Sequence, residues 1–137
     1  MSEKKTELDL PSRIESVEAA AKAAEKFAET NGFGEEVRFA VDMAVREAVA
    51  NAVKHGNKLD ETKRVEITFE NSDEGFEIIV RDFGRGFTVE EVPDPTNPEN
   101  LMKGDGRGIL FMRSFMDAVE WSNHASGGMI VKMLKKR

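Results

Sequence analysis

The 137-residue sequence contains no cysteine. That absence excludes disulfides, zinc–thiolate centres and cysteine nucleophiles, and it suits a reducing cytoplasm. No run approaches the roughly 20 apolar residues that a membrane span requires. The opening M-S-E-K-K-T-E has no apolar stretch behind its lysines, so no signal peptide and no membrane association are expected. Basic excess is also missing: 20 Lys+Arg stand against 26 Asp+Glu, a formal charge of −6. A duplex-DNA binder would ordinarily be basic, so direct nucleic-acid binding is not expected. An acidic chain that holds a polyphosphate must do so locally, with glycine amides, helix ends, a metal or a few cations. The 39% apolar and 34% charged fractions fit one globular domain over residues 1–137.

What is present centres on D-M-A-V-R-E-A-V-A-N-A-V-K-H-G, residues 42–56. Val37, Ala40, Val41, Ala44, Val45, Ala48, Val49, Ala52 and Val53 recur with helical period, predicting a helix over 35–54. Glu47 and Asn51 lie beside that apolar face four residues apart, so they stack one turn from each other. A carboxylate there can accept a hydroxyl proton, and a carboxamide oxygen is a hard ligand suited to Mg²⁺. The same pair on a solvated helix face would have no function.

Around this helix, 6–10 alternate as an edge strand that Pro11 ends, and Ser12 with Glu15 reads as a capping box opening a helix over 13–30. That helix carries Ile14, Val17, Ala21, Ala24, Phe27 and Ala28 on one face and stops at Asn31-Gly32. Residues 57–63 read as a polar loop. Val65, Ile67 and Phe69, then Phe76, Ile78 and Val80, alternate about the turn N-S-D-E-G, predicting a hairpin. Residues 88–105 lack periodicity and contain Pro93, Pro95 and Pro98, a length that suggests a functional lid at about 87–108. A helix over 109–116, two strands over 117–121 and 129–134, and a solvated K-K-R end complete the chain. Helices gather early and strands pair antiparallel, so the expected architecture is α+β: a two-layer sandwich with helices on one face of a mixed, mostly antiparallel sheet.

Two loops are dense in glycine, D-F-G-R-G at 82–86 and G-D-G-R-G at 104–108. Glycine lets backbone N–H groups approach an anion, and the second cluster opens a helix, where phosphate is favoured. Asp82 closes a strand and could accept a hydrogen bond from an exocyclic amine. The second cluster lacks the G-K-[ST] ending of a Walker A loop. D-F-G stands without the other motifs of eukaryotic-type protein kinases. His55 and His124 are solitary, without metal-ligand spacing, and the methionines at 112, 116, 129 and 133 read as core filler.

E-x-x-x-N-A-x-x-H-G, D-x-G-x-G and G-x-G-x-G, in that order, resemble the ATP-binding Bergerat fold of gyrase, heat-shock-ninety chaperones, sensor histidine kinases and mismatch-repair ATPases. Within it the chain is most similar to the anti-sigma-factor serine/threonine kinases of bacterial partner-switching systems. The resemblance runs from Leu8 to Leu134. It implies ATP with Mg²⁺ as ligands, Asn51 as metal ligand and Glu47 as general base. It also implies Asp82 as adenine acceptor with Gly84 and Gly86 shaping the pocket, and His55 near the phosphates. Gly104, Gly106, Arg107 and Gly108 would form the hinge and phosphate seat. The implied partners are a sigma factor and an anti-sigma-factor antagonist that is phosphorylated on serine or threonine, with a homodimer as a further possibility. The chain departs from the family at Gly128-Met129, where Gly-Thr is frequent, and in its alanine-rich first helix, which lacks a partner-facing arginine. The same residues leave two other readings open: an interaction module without chemistry, and a histidine-kinase catalytic domain, whose phosphohistidine product would be acid-labile.

Overall fold

Strict alternation in two neighbouring segments builds the centre of the sheet. A computed structural model of the protein describes residues 4–84 and 109–137. Strand β2, Arg64–Asn71, buries Val65, Ile67 and Phe69. Strand β3, Gly75–Arg81, buries Phe76, Ile78 and Val80. The two pair antiparallel through a turn in which the Ser72 and Gly75 backbones exchange hydrogen bonds. Gly75 takes φ 149°, and a Cβ there would stand 2.2 Å from the Lys135 carbonyl oxygen, so the turn needs a glycine.

The other described strands are β1 (Lys5–Pro11), β4 (Ala118–Asn123) and β5 (Met129–Lys136), giving the order β1-β2-β3-β5-β4. All four pairings are antiparallel, so the sheet is not mixed among the described residues. The K-K-R end is not a free tail. Lys135 and Lys136 continue β5 beside Phe76 and Gly75, and the Arg137 guanidinium lies 4.4 Å over the Phe33 ring and donates to Asn71. The alternation of β5 persists through Met133, and backbone pairing with β3 carries the strand on, whatever the side-chain polarity.

Among the described residues three α-helices accompany the sheet: α1 (Glu15–Thr30), α2 (Glu35–Asn51) and α3 (Ile109–Phe115). The buried faces of α1 and α2 meet the buried faces of β2, β3 and β5 in one core. Its aromatic centre is Phe27, Phe69, Phe76 and Phe33, with ring centroids 5.1–5.9 Å apart at tilted or edge-on angles. Arg46 of α2 bonds Asp42 on its own helix and Glu18 on α1, at 3.1 and 2.6 Å, joining the outer sides of the two helices.

Ser12 does not cap α1. The helix starts at Glu15 after a turn in which the Ser16 and Val17 amides bond back to Arg13 and Ile14, and no side chain caps it. The Ser12 hydroxyl is fully buried and accepts a hydrogen bond from Asn57, 45 residues away. Ile14, expected on the buried face, is 47% exposed.

Candidate functional site

The apolar face of α2 continues past Asn51, but the helical pitch does not. Residues Ala52–Gly56 form a π-helical turn, closed by the Asn57 amide bonding back to the Ala52 carbonyl at 2.8 Å. Single π-turns of this kind recur at functional sites, because the extra residue re-aims the chain beyond it. Here it delivers Gly56 onto the end of β3. A Cβ at Gly56 would lie 2.2 Å from Asp82 Oδ2, and one at Gly84 would lie 1.8 Å from the Gly56 carbonyl oxygen. Gly128 completes the interlock: at φ +88° it would bring a Cβ to 2.0 Å from the Asp82 carbonyl oxygen. Only residues without a side chain permit these approaches.

Asp82 is buried at 2% exposure. Its Oδ1 accepts the amides of Gly84 at 3.0 Å and Met129 at 3.1 Å. Its Oδ2 accepts no hydrogen bond from any described residue. A buried carboxylate with one oxygen held by two backbone amides and no described donor on the other suits recognition of an exocyclic amine. The Met129 contribution is a backbone N–H, so it does not depend on a threonine at that position.

Asp82 and Asn51 line one cleft. The rest of its described wall is apolar: Ala48 and Ala52 of α2 and its π-turn, Val80 of β3, Met112 of α3, Trp121 of β4, and Met129 and Val131 of β5. An apolar slot with two convergent polar groups has the composition of a small-ligand site. Asn51 is itself buried, at 8% exposure. One carboxamide oxygen fits a magnesium site in which phosphate oxygens and water supply the other ligands. No cluster of three or more His, Asp or Glu among the described residues could cage a metal alone.

Glu47 lies one turn before Asn51, half-buried and outside the described lining of the cleft. Burial raises its carboxyl pKa above the ordinary 4.5, and the positive fields of Lys54 and His55 partly offset this. His55 is exposed and does not line the cleft. Gly86, Gly104, Gly106, Arg107 and Gly108, and the lid at about 87–108, fall outside the described residues.

Asn57, Met112 and Trp121 belong to none of the sequence motifs, and the structure adds them to this site. The sole tryptophan is the one signal in the composition that could have pointed here. Its indole is covered on one side by the Arg113 guanidinium at 5.1 Å. Because Trp121 lines the cleft, Mg·ATP is expected to change the intrinsic fluorescence of the chain in a saturable way. Emission that is unaltered at saturating nucleotide would place the base elsewhere.

Family comparison agrees with this geometry. The profile of the histidine kinase-like ATPase domain matches residues 10–135, and the chain belongs to that family. Among curated proteins it is similar to the serine-protein kinase RsbW of Oceanobacillus iheyensis, at 29% identity over 94% of this chain and 84% of the relative. It is also similar to the anti-sigma F factor of Clostridium perfringens, at 35% identity over 70% of each chain. A third relative, the serine-protein kinase RsbW of Bacillus subtilis, is 34% identical over 68% of this chain and 61% of its own length.

Proposed function

We propose that the chain is an ATP-dependent protein serine/threonine kinase and anti-sigma regulatory factor, acting in the cytoplasm as one domain. The observation that carries this reading is the convergence of Asn51 and Asp82 on one apolar cleft, with Glu47 one helical turn away. The names of its relatives supply the substrate class and the partner class.

In this reading Asp82 Oδ2 accepts the adenine amine while the cleft wall covers the base. Asn51 would hold Mg²⁺ through its amide oxygen, and the ion would supply charge neutralisation at the phosphate oxygens. Phosphoryl transfer asks mainly for placement and charge neutralisation. The protein supplies one proton acceptor, Glu47, for the seryl or threonyl hydroxyl of an anti-sigma-factor antagonist. The hydroxyl oxygen bonds to the γ-phosphorus as the bond from that phosphorus to the β-phosphate oxygen breaks. ADP and the phosphorylated antagonist leave, and a sigma factor is held away from polymerase by the same chain. No direct nucleic-acid contact is part of the proposal, and no described helix is long and apolar enough to cross a membrane. A homodimer is compatible with these roles.

Thermal unfolding tests the nucleotide site directly. At about 100 times Kd, Mg·ATP should stabilise the chain by about 2.7 kcal/mol. Asn51→Ala and Asp82→Asn should each lose most of that gain at the same concentration. An undiminished gain in both variants refutes the site.

A further inference from the structure

Between the π-helical turn and β2 lies a residue whose surroundings are unlike those of a loop. Asn57 is 1% exposed, and its amide is engaged on every side. Its Nδ2 donates to Ser12 Oγ and to the Arg64 carbonyl, both at 3.0 Å. Its Oδ1 accepts the Phe83 amide at 2.8 Å. Its own backbone N–H closes the π-turn. Side chain and backbone together, this one residue joins the β1–α1 turn, the start of β2, the π-turn after α2 and the segment leaving β3.

We infer that Asn57 is a positioning residue for base recognition: it fixes the Asp82–Gly84 segment relative to α2, so that Asp82 Oδ2 meets the base at the right place. This rests on the reading of Asp82 as the base acceptor. The register is tight on both sides of the carboxylate. Gly56, directly before Asn57, packs against Oδ2, while Gly84, directly after Phe83, donates to Oδ1. The bond from Phe83 N–H to Asn57 therefore spans the two backbone segments that enclose Asp82. Phe83 is restrained a second time, since the Arg81 guanidinium lies 4.2 Å over its ring. The Arg64 carbonyl suffices to hold the other side of the amide, because a turned amide would face it with Oδ1 and leave the Phe83 N–H unpaired, with or without the Ser12 hydroxyl. A purely architectural residue would lower the melting temperature and leave base choice alone. A positioning residue must also alter base choice.

The readout is the ratio of Mg·ATP to Mg·ITP affinity, because inosine carries a carbonyl where adenine carries its amine. The unaltered chain should prefer ATP by about 100-fold or more, since a carboxylate facing a carbonyl leaves both acceptors unpaired. Asp82→Asn should flatten this preference. Asn57→Ser, too short to reach Phe83, should narrow it by about tenfold and have no further effect in the Asp82→Asn background, the non-additivity expected of coupled groups. Ser12→Ala, which cuts the tether on the opposite side of the amide, should lower the melting temperature and leave the ratio unchanged. Full ATP preference in Asn57→Ser, beside its loss in Asp82→Asn, overturns the inference and leaves the base site standing. Absence of any preference in the unaltered chain overturns the base site itself. If Asn57→Ser does not fold, hydrogen exchange on the unaltered chain decides: the Phe83 amide should exchange with the amides of β3, and exchange at an open-loop rate overturns the inference.

Discussion

Glu47→Gln is expected to bind Mg·ATP as tightly as the unaltered chain and to phosphorylate an antagonist about 10²- to 10⁴-fold more slowly, the usual worth of a positioned base. Glutamine preserves the shape and hydrogen-bonding reach of the side chain and removes only its ability to take a proton. The pH dependence supplies a second signature. Burial lifts the Glu47 pKa above 4.5, and a carboxylate proposed as a base can act only when ionised. Transfer should therefore fall as pH drops through that raised value, with the acid limb above the pH where an exposed glutamate would titrate. Stability should move the opposite way. A carboxyl whose folded pKa is raised favours the folded state when protonated, and that contribution is lost as pH rises through the folded pKa. At neutral pH the Gln variant should thus melt no lower than the unaltered chain. A variant that transfers phosphate at an undiminished rate, assayed as acid-stable phosphoserine, would remove Glu47 from the mechanism.

Gly84→Ala adds a methyl group for which the site has no room. The new carbon would sit 1.8 Å from the Gly56 carbonyl oxygen, and that oxygen belongs to the backbone rather than to a side chain that could swing aside. Overpacking of this kind costs about 1–3 kcal/mol. Relief requires the end of α2 and the Asp82 segment to separate. Nucleotide affinity should consequently fall further than stability does, by more than about tenfold if even one hydrogen bond to the base is misplaced. Urea unfolding and ATP titration on the same preparation check both parts. Wild-type affinity in this variant would mean that the Gly56–Gly84 approach does not shape the base pocket.

Much of this site could be read from neighbours in sequence. The 3.6-residue recurrence from Val37 to Val53 located α2, and a spacing of four put Glu47 and Asn51 on adjoining turns. Alternation in 65–69 and 76–80 located the hairpin that ends at Asp82. What escaped was set by long-range partners. Ser12 has the local pattern of a helix cap, yet its hydroxyl is taken by an amide 45 residues away. Asn57 stands in a polar run that looks like a loop, and nothing within several residues reveals that its side chain is buried. The change of pitch at Ala52 leaves no mark either, because alanine and valine suit an α-turn as well as a π-turn. The terminal lysines looked solvated by composition, but strand pairing is a backbone property and carried them into the sheet.

The amide of Met129 reaches Asp82 across 47 residues. During synthesis the ribosome delivers α1, α2, β2 and β3 well before it delivers that donor, and folding of the emerging N-terminal part can begin ahead of it. A nascent chain can therefore gather α1, α2 and its central hairpin while its nucleotide receptor is still unfinished, so competence to bind ATP should arrive only with the final stretch of polypeptide.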